Sequence, residues 1–319
     1  MEFFDFDGYQ QNLEAYGGKS GYKLGIDFRG ERYLLKFPGL LKGRNMKNVE
    51  LSYSTSPISE YIGSHIYEAL GIPVHETILG KRENKVVVGC KDFRARGEEL
   101  IEFEKIKVTF SPEKTMETDR LTNGTGTDLS AVLNTINNHP VLKGVPGVME
   151  RFWDMFIVDA LIGNTDRNNG NWGILKDLDD HVRLAPVYDN GNSFANKASP
   201  RQMEESLKDE KRMENLAYVA RTCVFKKNGK NINPYTFIAL LENVDCNLAV
   251  ERIVPRISIQ KLYQIVDETP IIGETEKNFC KKLLEIRYTK VLYPAYEKVK
   301  HKKIRLDMES EKEPCGHKR

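Results

Sequence analysis

No pair of cysteines in this chain has C-x-x-C spacing. The five cysteines (Cys90, Cys223, Cys246, Cys280 and Cys315) are scattered, which excludes a disulfide framework or a structural zinc site and suits reduced, buried thiols. Charge of one sign is also lacking. With 48 Lys+Arg against 46 Asp+Glu the formal net charge is +2, which gives no reason to expect a nucleic-acid partner. A C-terminal basic stretch (Lys298, Lys300, Lys302, Lys303, Arg305, Lys318, Arg319) is a local exception and reads as a solvated tail. Apolar runs fall short of the ~20 residues of a membrane span. The start Met1-Glu2-Phe3-Phe4-Asp5 lacks the basic region and apolar core of a secretory signal. The expectation is a soluble chain made in the cytoplasm, with export by a route that needs no cleaved signal left open.

What is present suggests two lobes. No internal repeat is evident, and 319 residues suffice for a two-lobed unit with a sizeable core. Short alternating runs within 22–37 and 72–93, broken by glycine and charged turns, predict antiparallel strands. Between them the spacing predicts a helix over 58–70, with Ser56 as cap, Pro57 in the first turn and Gly71 at the end. From about residue 94 the pattern turns helical, apart from a hairpin at 172–187. Helices are predicted over 148–162, 199–216, 234–241 and 259–268, with a long one from near Thr275. The polar region 111–147 reads as an insertion or mobile loop around a short helix near 128–137. The expected architecture is α+β: a β-rich N-lobe over 1–93, a helical C-lobe over 94–300, and a basic tail over 301–319.

The stretch Gly163-Asn164-Thr165-Asp166-Arg167-Asn168-Asn169-Gly170-Asn171-Trp172-Gly173 carries the chemistry. It follows an apolar segment and precedes an apolar run ending in Tyr188-Asp189-Asn190-Gly191. An aspartate, an asparagine five positions on, a hairpin and a second aspartate form the arrangement phosphoryl transfer needs. Asp166 would orient a hydroxyl, while Asn171 and Asp189 would hold Mg²⁺ against ATP phosphates, since magnesium prefers hard oxygen ligands. A calcium loop fails because its sixth position, where glycine is needed, is Asn171.

Other candidates arrange themselves around that set. Gly17, Gly18, Lys19, Ser20, Gly21 and Lys23 precede the first strand, where glycines let backbone N–H groups approach phosphate oxygens. The segment is no Walker A loop, because position 13 is Leu13 and a strand follows where a helix should. Lys36, in an otherwise apolar strand, is costly to bury unpaired and is the candidate phosphate lysine, with Glu60 as its helix partner and Glu50 and Glu68 as alternatives. The strand 86–88 runs into an expected hinge at Cys90-Lys91-Asp92-Phe93, where backbone N–H and C=O groups would read an adenine edge, with Lys91 and Phe93 as candidate nucleotide-binding residues. Ser193, Ser199 and Ser206 stand where an activation loop would be phosphorylated.

On these motifs, and on "LLKFP", "SEYIGSHIYEALGI", "VVGCKDF", "FWDMFIVDALIGNTDRNNGNWGIL" and "PVYDNG", the chain resembles the HipA-like family of bacterial serine/threonine kinases, in its compact, cell-translocating branch. The resemblance implies a two-lobed kinase-like fold, ATP with Mg²⁺ and phosphorylation of protein hydroxyls. It implies Lys36 as ATP lysine, Glu60 as helix glutamate, Asp166 as catalytic aspartate, and Asn171 and Asp189 as metal ligands. It further implies autophosphorylation of a glycine-loop serine, here Ser20. The larger family toxins carry an extra domain before this loop. There is no His-Arg-Asp and no Ala-Pro-Glu, so docking of a phosphorylated loop onto a catalytic-loop arginine is not expected. The rival readings are a lipid or small-molecule kinase, given the Asp-Arg-x-x-x-Asn loop, and a non-catalytic nucleotide-binding interaction module. The sequence names neither a protein substrate nor a regulatory partner.

Overall fold

Two tight hairpins build the first sheet of the structure, a computed structural model that describes residues 2–14, 22–41, 53–110 and 126–310. Strands β2 (Lys23–Phe28) and β3 (Glu31–Lys36) turn through Arg29-Gly30, and β4 (Thr77–Arg82) and β5 (Lys85–Lys91) turn through Glu83-Asn84. All four turn residues have positive φ, the geometry that matches the twist of paired strands. With β1 (Phe3–Asp5) they form a five-stranded sheet in the order β1-β4-β5-β3-β2. Strand β1 pairs in parallel with β4, which the sequence reading missed. Register places Lys36 beside Lys23 on one side and Val88 on the other.

Helix α1 (Ser56–Ala69) lies against β4 and β5 and buries Ile62 and Ile66. Pro57 fits its first turn, and Gly71 leaves the helix end with φ +73°. Ser56 is not the cap. Thr55 holds that position without a side-chain bond, and the Ser56 hydroxyl lies 2.9 Å from that of Ser54.

The remaining chain is mostly helical, with corrections to the expected pattern. Strand β6 (Glu99–Glu102), helix α2 (Phe103–Phe110) and helix α3 (Leu129–Asn138) precede α4 (Val148–Ile162). Strands β7 (Gly173–Lys176) and β8 (Val182–Leu184) form the expected hairpin, but β6 adds a third strand in the order β6-β7-β8. Within the expected insertion, residues 111–125 lie outside the described residues. The short helix expected near 128–137 is α3, but Leu129, Val132, Ile136, Leu142 and Val145 are buried in the main core, so its surroundings are packed structure and not a mobile loop. The helix expected over 199–216 is broken: α5 (Pro200–Leu207) stops, and Asp209 caps a new turn by accepting from the Arg212 N–H. Helices α6 (Val244–Ile253), α7 (Ile259–Asp267), α8 (Glu274–Arg287) and α9 (Tyr293–Ser310) complete the fold, and α9 runs past residue 300. Helix α4 is buried almost all round, as its apolar sequence requires.

Candidate active site

Helix α4 ends at Gly163, whose φ of +72° starts the loop that follows. A side chain there would collide with the buried Arg287 guanidinium, which donates to the carbonyls of Leu161 and Ala217. The loop then fixes itself by its own amides. Asn164 Oδ1 accepts the Asp166 N–H at 3.1 Å, and Asn168 Oδ1 accepts the Gly170 N–H at 2.9 Å. Asn171 Nδ2 donates to the Asp166 carbonyl at 2.7 Å. Burial pushes the Asp166 carboxyl up from its ordinary value, against the opposing bond from Asn168, as suits a group that accepts a proton.

The second aspartate returns beside this loop. Val187 pairs with Val74 as a short parallel bridge, and two residues later Asp189 takes a left-handed φ of 62°. Lys36 Nζ lies 3.0 Å from Asp189 Oδ1 and 3.1 Å from Glu60 Oε2. Burial pushes Lys36 down, but the two carboxylates outweigh it and hold the ammonium above the ordinary lysine value. Glu60 is almost fully buried. Burial pushes it up, yet Lys36, His75 and the Asn190 N–H together keep it ionised well below the usual carboxylate range.

Beneath the loop lies a second cluster that the sequence reading did not identify. The buried Arg167 guanidinium donates to both oxygens of Asp159 at 2.8 and 3.0 Å, and to Asn190 Oδ1 at 2.6 Å. It also donates to the Asn171 carbonyl at 2.9 Å and to the Tyr188 carbonyl. Tyr67 and Asn164 add bonds to Asp159. Arg167 thus ties the segments of Asn171 and Asp189 together and has no face left for a phosphorylated loop. A signal was available: Asp159, a carboxylate inside a long apolar run, had to have a buried partner.

Asp166, Asn171, Asp189, Lys36, Glu60 and Lys23 all line one cleft of about 490 Å³. An adjoining cavity of about 310 Å³ shares Lys23, Lys36, Asn171 and Asp189 and is walled by Leu34, Cys90, Lys91, Phe93 and Tyr188. Phe93 and Tyr188 stack there with ring centroids 5.7 Å apart. At the hinge the N–H groups of Lys91 and Asp92 are taken by the carbonyls of Glu76 and Arg32. The Lys91 ammonium is drawn to Glu31 and Glu76. Gly17, Gly18, Lys19, Ser20 and Gly21 lie outside the described residues.

The three serines after Asp189 are not exposed acceptors. Ser193 is fully buried and donates to the Asn190 carbonyl, Ser199 caps α5, and Ser206 is buried and donates to the Gln202 carbonyl.

The donor set fits magnesium. An amide oxygen and a partly exposed carboxylate across one polar cleft are hard ligands with room for waters and phosphate oxygens. Among the described residues, no helix is long and apolar enough to cross a membrane.

Known proteins resemble this chain in sequence and in fold. The family described as HipA-like C-terminal domain matches residues 15–253. A curated relative, the serine/threonine-protein kinase CtkA of Helicobacter pylori strain J99, is 35% identical over 286 residues, covering 89% of this chain and 84% of its own. The crystal structure of a Helicobacter pylori proinflammatory kinase CtkA superposes with a TM-score of 0.82 at 32% identity, covering 94% of this chain and 99% of that one.

Proposed function

This chain belongs to the HipA-like C-terminal domain family and is a serine/threonine-protein kinase, and we propose that it transfers the γ-phosphoryl group of ATP, with magnesium, to a protein hydroxyl in the cleft around Asp166. The observation that carries this reading is the placing of Lys36 between Glu60 and Asp189, opposite Asp166 and Asn171 in the same cleft.

Lys36 holds its ammonium toward the α- and β-phosphates while Glu60 fixes its direction. Asp166 accepts a hydrogen bond from the serine or threonine hydroxyl. It takes the proton as the new oxygen–phosphorus bond forms and the bond to the β-phosphate oxygen breaks, releasing ADP. Asn171 and Asp189 would hold magnesium, which when bound neutralises phosphate charge. The protein's own contribution is positioning within a pre-formed charge arrangement. The stacked Phe93 and Tyr188 and the apolar Leu34 border the space for the base. The acceptor is a protein, and the enzyme also phosphorylates itself, with Ser20 the expected site.

Incubation with γ-labelled ATP and Mg²⁺, wild type beside Asp166→Ala, followed by peptide mapping, tests this. Label on serine or threonine should appear in the wild type and be lost by about 1,000-fold or more in Asp166→Ala. Full labelling of the variant would overturn the assignment. Label confined to a lipid fraction would mark a lipid kinase instead.

A further inference from the structure

We propose that His75 is a positioning residue for phosphoryl transfer, holding the Glu60 carboxylate in the orientation that presents Lys36 to the nucleotide. The inference rests on the active-site reading above and extends it to a residue outside the Lys36, Glu60, Asp166, Asn171 and Asp189 set.

His75 lies between α1 and β4, where nothing in the local sequence marks it. Its ring is buried, and a buried imidazole is costly unless its nitrogens are bonded. Nε2 lies 2.9 Å from Glu60 Oε1 and 3.1 Å from the Ser64 hydroxyl, one helical turn further along α1. Glu60 Oε1 also accepts the Asn190 N–H at 3.0 Å, and Asn190 Nδ2 donates to the same Ser64 hydroxyl at 3.0 Å. The four residues close a ring, and three donors share the two oxygens of Glu60. Oε1 takes two of them, which leaves Oε2 for Lys36.

The backbone explains why His75 can serve this purpose. Its N–H donates to the Val187 carbonyl at 2.9 Å, and the Val187 N–H donates to the Pro73 carbonyl at 2.8 Å. The ladder that places the imidazole therefore also places Asp189, two residues beyond Val187. His75 sets the distance between the glutamate and the aspartate that share Lys36. Without its donor, Glu60 keeps charge and burial but loses one of the two bonds that fix its rotation, and Lys36 drifts toward Asp189.

The test compares donor with volume. His75→Gln keeps an amide donor near Nε2, whereas His75→Phe keeps the volume and loses the donor. In steady-state kinetics with Mg·ATP and a protein acceptor, or autophosphorylation rates, kcat should fall about 10–100-fold in His75→Phe and stay within about threefold of wild type in His75→Gln. KM for ATP should move less than kcat. In a His75→Phe/Glu60→Gln double variant the loss should be no greater than in Glu60→Gln alone, because His75 acts through Glu60. Should His75→Phe fail to fold, His75→Asn, whose shorter amide does not reach Glu60, takes its place with the same expectation. Wild-type kcat in His75→Phe, or equal losses in the Gln and Phe variants, would overturn the proposal. Asp166→Ala runs alongside. If it retains activity, the active-site reading itself has failed; if it is inactive while His75→Phe is not, only the role of His75 has.

Discussion

Two clusters of buried charge flank the Asp166 loop, and they differ in one respect. The Lys36–Glu60–His75 cluster opens onto the cleft through Lys36 and the partly exposed Asp189. The Arg167–Asp159–Tyr67 cluster is sealed: Arg167 is buried, and its guanidinium bonds to Asp159, Asn190 and the Asn171 carbonyl inside the protein. Both tie α1 to the helical region, the first through Glu60 and the second through Tyr67, and Asn190 touches both. The comparison shows how similar ion pairs take different work. An ammonium with one open side can trade a carboxylate for a phosphate, whereas a guanidinium spent on carbonyls can only hold backbone in place.

Removing the sealed cation should have the largest effect on stability. Arg167→Met strands the Asp159 carboxylate and leaves the carbonyls of Asn171 and Tyr188 without their donor. A loss of about 3–5 kcal/mol in urea unfolding is expected. A smaller loss than that of Lys36→Met would break the comparison. Lys36→Met should do the reverse: turnover falls about 100-fold or more, while stability drops by about 1–2 kcal/mol, because Glu60 keeps His75 and the Asn190 N–H and water can enter from the cleft.

The smallest effect concerns pH. Burial lowers the folded-state pKa of His75 below its ordinary 6.5 despite Glu60, and Glu60 itself is held below its ordinary 4.5. In both cases the unfolded chain binds the proton first as pH falls. Stability is therefore full above about pH 6.5 and declines below it, first through His75 and then through Glu60, with a slope of up to about 1.4 kcal/mol per pH unit for each proton. Arg167, held above its ordinary value by Asp159 and Tyr67 against burial, stays charged throughout. Urea midpoints from pH 7 to 5 should fall less steeply in His75→Gln than in wild type. Parallel slopes would count against this account.

The same contrast explains what could be read from sequence. Asp166, Asn171 and Asp189 stand at fixed spacing around a hairpin, so local pattern was enough to nominate them and to indicate the α+β class. Helix α1 was legible from Pro57, Gly71 and its apolar face. Strand β1 was not, because three residues pairing in parallel with β4 leave no hairpin signal. Strand β6 was missed because its partner β7 lies some seventy positions on. His75 and Arg167 escaped for a related reason: their importance comes from partners brought together only by the fold. The break at Asp209 was there to be read as a capping residue, but the helical periodicity on either side hid it.

Lys36 and Asp189 are separated by 153 positions, yet one ammonium touches the aspartate and Glu60 together. During synthesis the first sheet and α1 leave the ribosome long before the segment that completes the site. A growing chain therefore holds its lysine and glutamate without the aspartate, and the set can close only after residues around 190, and the Arg287 that backs the Gly163 turn, have emerged and docked.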